Sequence, residues 1–151
     1  MSNRTAQFAA VYAVLTASHE VADYWVQQDK DAVAKGRPGM EGRMACARHV
    51  ASYTATQALA LAAADRRLGL GLDWRRAATG LAVSAVTHYV ADRSAGRWQE
   101  QGTSTWMVRL ARRCGHAPWL AKDSGAGPLM DQAWHKGWIA VAAAVAAGGV
   151  R

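Results

Sequence analysis

Residues that favour β-strands or disulfide-rich folds are scarce in this chain of 151 residues. It has one phenylalanine, four tyrosines and two cysteines, and the cysteines do not form a CxxC motif. Two cysteines cannot build the disulfide framework of a small secreted domain, and a reducing environment suits them. Strand-favouring residues are sparse beside alanine, which is the strongest helix former. The composition therefore predicts an all-α protein.

Apolar stretches long enough to cross a bilayer are also missing. Uninterrupted runs of apolar or neutral residues cover positions 51–64, 77–87 and 138–150, and each is shorter than the ~20 residues that span a membrane. The first twenty residues lack the small-residue cleavage site of a signal peptide. These features favour a cytoplasmic protein. Because longer spans result if polar residues are included, association with the inner membrane is the alternative.

Glutamate is rare, with Glu20, Glu41 and Glu100 in the whole chain and none of them in a Glu-x-x-His motif. Helical bundles that hold di-iron or di-manganese centres use several glutamates and such motifs. A redox or oxygen-activating centre of that type is therefore the least favoured function.

Basic residues, by contrast, are in excess, and the formal net charge is +7. A strongly positive protein commonly binds an anionic partner, which here would be nucleic acid, a phosphorylated small molecule or a lipid headgroup. The alternative is an arginine-rich composition that serves no partner. The charge alone does not decide between them.

The pattern of helix formers and turn residues predicts four long helices. Pro38 ends the first, Asp73 is the expected N-cap of the third, and Pro128 lies in the first turn of the last. A short helix capped by Ser104, and then a loop over residues 117–128, should precede the last one. We expect a single domain over residues 1–151, folded as an up-down four-helix bundle with one short extra helix. The long helices cover approximately residues 7–35, 41–68, 73–98 and 128–148.

Three of these helices each carry a histidine and an aspartate four residues apart, a spacing that places both side chains on one helix face. The first and third helices have the order His then Asp, and the last has the reverse order. In an up-down bundle the last helix runs opposite to the other two, so the reversed order brings like residues to the same depth. The pairs are His19 and Asp23, His88 and Asp92, and Asp131 and His135.

All three pairs fall at one end of the expected bundle, where His49 of the second helix also lies. Buried carboxylates cost several kcal/mol unless they are paired or bound to a metal. Imidazole and carboxylate ligands without a thiolate suit Zn, Mn or Fe. A metal-free network that includes Arg48 or Arg93 is the alternative. We therefore expect one or two divalent transition-metal ions held by His19, Asp23, His49, His88, Asp92, Asp131 and His135.

The blocks "HEVADYWVQQDKDAVAK", "RHVASY", "THYVADR" and "DQAWHK" resemble, in order, those of a bacterial and phage family known as domain of unknown function 3307. The resemblance covers most of the chain. It implies a helical, often membrane-associated protein and carries no reaction with it. It also implies that Gln27, Lys35 and Gln132 belong with the site. This chain is more polar and richer in alanine than that family.

Hydrolysis of a phosphoester is the function that these residues favour. A bound metal ion lowers the pKa of water toward neutrality and binds phosphate oxygens. Asp23 is the expected general base, and Lys35 is the second expected catalytic residue. The alternative is a non-enzymatic basic protein of a phage or mobile element that binds nucleic acid or a membrane surface and has a structural His/Asp site. The expected substrate contacts are Gln27, Arg93, Arg97 and Gln132.

Overall fold

The computed structural model describes residues 4–94, 98 and 105–148, which are mostly helical and contain no strand. The all-α prediction is confirmed for this part of the chain. Single π-helical turns cover Ala22–Val26 and Arg112–His116. The α-helices are α1 (Arg4–Val21), α2 (Asp29–Ala34), α3 (Gly39–Leu68), α4 (Trp74–Ser94), α5 (Trp106–Ala111), α6 (Ala117–Lys122) and α7 (Ala126–Ala146).

Local signals end α3 and begin α4, and the N-cap of α4 is the Asp73 that the sequence predicts. Gly69 adopts the left-handed conformation with φ 62° and its N–H donates to Asp65 O at 2.9 Å, which ends α3. The Asp73 carboxylate accepts hydrogen bonds from the N–H groups of Arg75 at 2.9 Å and Arg76 at 3.4 Å, so it caps α4. A short connection therefore joins two long helices.

The helices α1, α3, α4 and α7 pack side by side. Both α1 and α4 contact each of α3 and α7. His49 of α3 contacts His88 of α4, and Tyr53, one turn further along α3, contacts Ser84, one turn earlier on α4. Contacts that advance along one helix while they retreat along the other show that α3 and α4 run in opposite directions.

The close approach of α4 to α7 depends on a glycine. A Cβ atom on Gly80 would lie 2.5 Å from Ala142 O and 3.0 Å from Ala146 Cβ. The first of these contacts is with main chain, which cannot move aside, so any larger residue at this position would push the two helices apart. The lack of a side chain at Gly80 therefore allows α7 to pack closely against α4.

Besides a smaller cluster around Ala91 and Val108, the main apolar core draws on α1, α3, α4 and α7, and alanines supply much of it. Close packing of small side chains gives dispersion contacts between helix backbones as well as burial of apolar surface. The buried members are Val11, Leu15, Leu61, Leu72, Ala77, Leu81, Ile139, Ala142, Ala143 and Ala146.

The helix α3 is the longest described, with 30 residues, but charged and polar side chains interrupt it from Glu41 to Arg67. Mean hydropathy is correspondingly low along it. None of the helices in the described residues combines the length and the apolar character that a bilayer crossing requires.

The predicted continuous helix over residues 7–35 is wrong. After α1 and the π-helical turn, Gln27 (φ −60°, ψ 130°) and Gln28 (φ −84°, ψ 140°) have extended backbone. In an unbroken helix Lys35 would lie about 18 Å along the axis from Asp23, since each residue adds roughly 1.5 Å. The break instead lets α2 pack against α3 and brings Lys35 Nζ to 2.9 Å from Asp92 Oδ1.

The segment between α4 and α7 also differs from the prediction, because it contains two short helices where one was expected. Gly115, with φ 91°, ends the first of them in the π-helical turn. Pro118 then lies in the first turn of α6, where its missing N–H is not needed. The expected loop over residues 117–128 is therefore partly helical.

The helix α4 is described as far as Ser94, and residues 95–97 of the third predicted helix lie outside the described residues. Ser104, the expected cap of the short helix, also lies outside them. Thr105 precedes α5, and its hydroxyl donates to Ser94 O at 2.9 Å, so this contact joins the end of α4 to the start of α5.

Candidate metal centre

Four histidines, one from each long helix, form a single cluster. The ring centroid of His88 lies 5.7 Å from that of His19, 5.0 Å from that of His49 and 4.2 Å from that of His135. All four residues are buried. The structure therefore brings together the four histidines that the sequence pattern predicts as ligands.

Two carboxylates contact the same imidazole nitrogens. Asp92 Oδ2 lies 3.3 Å from both His49 Nε2 and His88 Nε2. Asp23 Oδ1 lies 3.4 Å from His49 Nε2 and 3.6 Å from His88 Nε2. The two nitrogens are 2.9 Å apart. Two imidazoles and two carboxylates from two different helices and the π-helical turn thus point at one small volume.

These separations fit the ligand shell of a transition metal. In a tetrahedral site with metal–ligand bonds of about 2.0–2.1 Å, ligand atoms lie about 3.3 Å from one another. The distances from His49 and His88 to each other and to the two carboxylates run from 2.9 to 3.6 Å. These buried His and Asp groups could hold a metal ion.

The remaining predicted ligands adjoin this volume. Asp131 Oδ2 lies 3.3 Å from His135 Nε2, and Asp23 Oδ2 lies 3.7 Å from His19 Nδ1. Sets of three residues whose ligand atoms all lie within 4.8 Å of one another therefore overlap here. The sets are His19, Asp23 and His88; His49, His88 and Asp92; and Asp92, Asp131 and His135.

Several of the ligand atoms are buried and have no hydrogen-bond partner among the described residues. They include Asp92 Oδ2, Asp23 Oδ1, Asp131 Oδ1 and His135 Nε2. Native proteins rarely bury such atoms unpaired, because each costs about 1–3 kcal/mol and charged groups cost more. Bound cations would satisfy these atoms.

The electrostatics hold most of these groups in the forms that bind metals; the exception is His135, whose pKa is raised because its contact with Asp131 outweighs burial. Burial lowers the pKa values of His19 and His88, which favours neutral imidazole. Burial acts to raise the pKa of Asp92, but the nearby His88 and the Lys35 ammonium outweigh it and the net pKa is lowered. Asp23 also has a lowered pKa, because contacts with His49 and His88 outweigh its burial. Neutral imidazole and ionised carboxylate are the ligand forms required.

Lys35 is the basic residue that the helix break brings to the cluster. Its Nζ lies 2.9 Å from Asp92 Oδ1 and donates to Gln27 Oε1 at 3.5 Å. Asp92 therefore presents one oxygen to Lys35 and the other to the two imidazoles. Gln27 Nε2 is buried and lacks a hydrogen-bond partner in the described part of the chain.

The other predicted contact residues divide into three cases. Gln132 Oε1 lies 3.0 Å from His19 Nε2, a contact that leaves the His19 Nδ1 atom on the side of Asp23. Arg93 Nη1 donates to the main-chain oxygens of Lys35 at 2.6 Å and Arg37 at 2.8 Å, so it holds the segment that carries Lys35. Arg97 lies outside the described residues.

Arg48, the other arginine considered for a metal-free network, pairs with a different acid. Its Nε donates to Asp31 Oδ1 at 3.2 Å, and this contact lowers the pKa of Asp31. Cys46 is a buried thiol whose pKa burial raises to about 12, so it stays protonated in this environment.

A series of buried hydrogen bonds lies next to the histidines, and it was not predicted from the sequence. The Tyr53 ring stacks on His88 with centroids 3.9 Å apart and an interplanar angle of 29°. The Tyr53 hydroxyl lies 2.7 Å from Ser84 Oγ, Ser84 Oγ donates to Gln57 Oε1 at 2.9 Å, and Gln57 Nε2 donates to Leu15 O at 3.1 Å. The one available signal was the position of Tyr53 four residues after His49.

Removal of the Tyr53 hydroxyl should lower stability without removing metal ligands. We expect Tyr53→Phe to reduce the free energy of unfolding by about 1–2 kcal/mol, because Ser84 loses a buried hydrogen bond. Urea unfolding followed by circular dichroism measures this. The phenyl ring still stacks on His88, so metal content should be unchanged. Loss of metal together with the loss of stability would show that the hydroxyl itself supports the ligand geometry.

Comparisons of the chain with protein-family models, with curated proteins and with solved structures gave no significant match. The resemblance to domain of unknown function 3307 thus stays a prediction, and the functional argument depends on the geometry of the site.

Proposed function

We propose that the protein is a metal-dependent hydrolase of phosphoesters with one or two divalent ions, Zn, Mn or Fe, at the His/Asp cluster. The observation that carries this proposal is that one oxygen of Asp92 and one of Asp23 each lie within 3.6 Å of both His49 Nε2 and His88 Nε2. The mixed nitrogen and oxygen donors of this group suit these metals. Zinc and related ions held in this way commonly activate water for hydrolysis.

The contacts of the neighbouring arginines favour a metal over a metal-free network. Arg48 pairs with Asp31, and Arg93 donates to main-chain oxygens. Of the three negative charges on Asp23, Asp92 and Asp131, Lys35 offsets one through its contact with Asp92. A divalent cation would offset the other two.

The residues around the cluster suit a proton-transfer reaction on an anionic substrate. A bound metal ion would supply a water of lowered pKa and a positive charge for phosphate oxygens. Asp23 lies beside the two imidazole nitrogens that would hold the ion, a position that suits the general base that accepts the proton of water. Lys35 stabilises the Asp92 ligand and adds positive charge. The amide of Gln27 is a free buried donor beside Lys35 and would contact a phosphate oxygen.

The arrangement of helices supports this assignment of the site. We propose that α1, α3, α4 and α7 form an up-down four-helix bundle in which the ligands come from one end. Gln57 of α3 contacts Leu15 of α1, while Gln7, earlier on α1, contacts Leu70 beyond the end of α3. This order of contacts is that of antiparallel neighbours. A cytoplasmic or inner-membrane location stays a prediction.

Elemental analysis and assays with phosphomonoesters and phosphodiesters test the function. We expect one or two transition-metal ions per chain, and hydrolysis of at least one ester class that chelation abolishes. Asp23→Asn, which keeps a ligand oxygen but cannot accept a proton, should lower kcat about 10²–10⁴-fold. Asp29→Asn, at an exposed position of α2, is the matched control and should leave kcat unchanged. A folded protein that binds no metal would contradict the proposal.

The non-enzymatic alternative is supported by exposed basic residues on the segment after α4. Arg109, Arg112 and Arg113 are exposed and could contact phosphates of a nucleic acid. Binding through such contacts weakens steeply with salt and would persist after chelation. A protein that shows this behaviour and no hydrolysis fits the alternative.

A further inference from the structure

We infer that the cluster holds two divalent ions and that Asp92 is the carboxylate shared between them. This inference rests on the proposed metal centre and specifies its ligands. The first ion position is that of His49, His88 and Asp92, with Asp23 as a further ligand. The second is formed by Asp92, Asp131 and His135, whose ligand atoms lie within 4.8 Å of one another.

The second position has unpaired ligand atoms of its own. Asp131 Oδ1 and His135 Nε2 are both buried and lack hydrogen-bond partners among the described residues. The side chain of His135 is 2 % exposed and that of Asp131 15 %. An ion bound to the first position through His49 and His88 would leave these two atoms unsatisfied. A second ion satisfies them directly.

Two overlapping sets can each hold an ion at the same time only if the residue that they share can bind two cations. A carboxylate has several lone pairs and can bind two cations, whereas a neutral imidazole nitrogen has one lone pair. The set of His19, Asp23 and His88 shares His88 with the first position, and Asp23 meets the same Nε2 atom. The set of Asp92, Asp131 and His135 shares only a carboxylate. It is therefore the set that can be occupied at the same time as the first.

The position of Lys35 supports a shared Asp92. Lys35 Nζ binds Asp92 Oδ1, which holds the carboxylate in one orientation and leaves Oδ2 facing the histidines. A fixed orientation is what a bridging ligand needs, because two metal ions about 3.5–4 Å apart tolerate little movement between them.

The positive charge of two bound ions favours a negatively charged substrate. One divalent ion neutralises the two negative charges that Lys35 leaves uncompensated, and a second gives a surplus of two positive charges. A phosphate group with its attacking hydroxide supplies the balancing negative charge, and paired metals stabilise both the attacking and the leaving oxygen. The inference thus favours phosphoesters over neutral esters as substrates.

Titration of the metal-free full-length protein with Zn²⁺ alone tests the inference. We expect two ions per chain for the wild type and for His116→Ala, a histidine outside the cluster. His135→Ala and Asp131→Ala should each bind one ion, and Asp92→Ala should lose tight binding of both. Wild-type saturation at one ion, or two ions in His135→Ala, would overturn the inference.

A spectroscopic measurement on the unmodified protein covers the case in which a variant fails to fold. Loading with Mn²⁺ should give the electron paramagnetic resonance spectrum of two coupled ions, because the shared carboxylate holds them close together. An uncoupled spectrum at saturation overturns the inference. Hydrolysis with one ion bound would leave the proposed function standing, and absence of any tight metal binding would overturn both.

Discussion

His88→Ala should remove both the bound metal and the hydrolytic activity. His88 Nε2 lies within 3.6 Å of ligand atoms on His49, Asp23 and Asp92, so its loss takes a donor from the centre of the group. Changes to residues that merely orient a ligand cost roughly 10–100-fold in metal affinity, and loss of a ligand should exceed that. Elemental analysis and the phosphoester assay measure the two effects.

His116→Ala provides the matched control, because His116 is exposed and lies in the π-helical turn after α5. It should keep metal content and activity at wild-type values. Circular dichroism of His88→Ala should retain the helical signal, since α3 and α4 stay packed through the apolar core. If both variants lose metal equally, or neither does, the division of the histidines into ligands and non-ligands is wrong.

Lys35→Met should have its largest effect on the protein without metal. Asp92 is 1 % exposed at its side chain and Lys35 19 %, so the change leaves a buried carboxylate without its cation. Removal of one partner of such a pair costs about 3 kcal/mol. A bound divalent ion would compensate Asp92, so the loss should shrink when metal is added. Urea unfolding with and without metal measures the difference.

Lys30→Met controls for the loss of a lysine on the same short helix. Lys30 is exposed, and a surface change of this type should alter the free energy of unfolding by less than about 0.5 kcal/mol. Lys35→Arg keeps the charge and should recover part of the stability. An equal loss for Lys35→Met in the presence and absence of metal would show that no cation reaches Asp92.

The helical class and the choice of ligand residues could be predicted because both depend on local spacing. Alanine content sets the helix preference within each segment, and the interval between His88 and Asp92 places both on one face whatever the rest of the fold does. The reversed order of Asp131 and His135 added information on direction. These features need no knowledge of distant contacts.

The break after α1 could not be predicted from local propensity. The residues from Ala22 to Lys35 have no glycine or proline to stop a helix. Contacts made by neighbouring residues stabilise the extended backbone at Gln27 and Gln28. Lys35 binds Asp92, and α2 packs on α3. Tertiary contacts of this kind override intrinsic preference.

The sequence by itself determined which side chains are suited to bind a cation and on which helix face each of them lies. Only the tertiary structure decided which partner each of their atoms contacts. It placed Tyr53 beneath His88, paired Lys35 with one oxygen of Asp92, and left the other oxygen to the imidazoles. The reason is that the helix face on which a side chain lies follows from the helical repeat of about 3.6 residues. Distances of about 3 Å between ligand atoms depend instead on how separate helices pack.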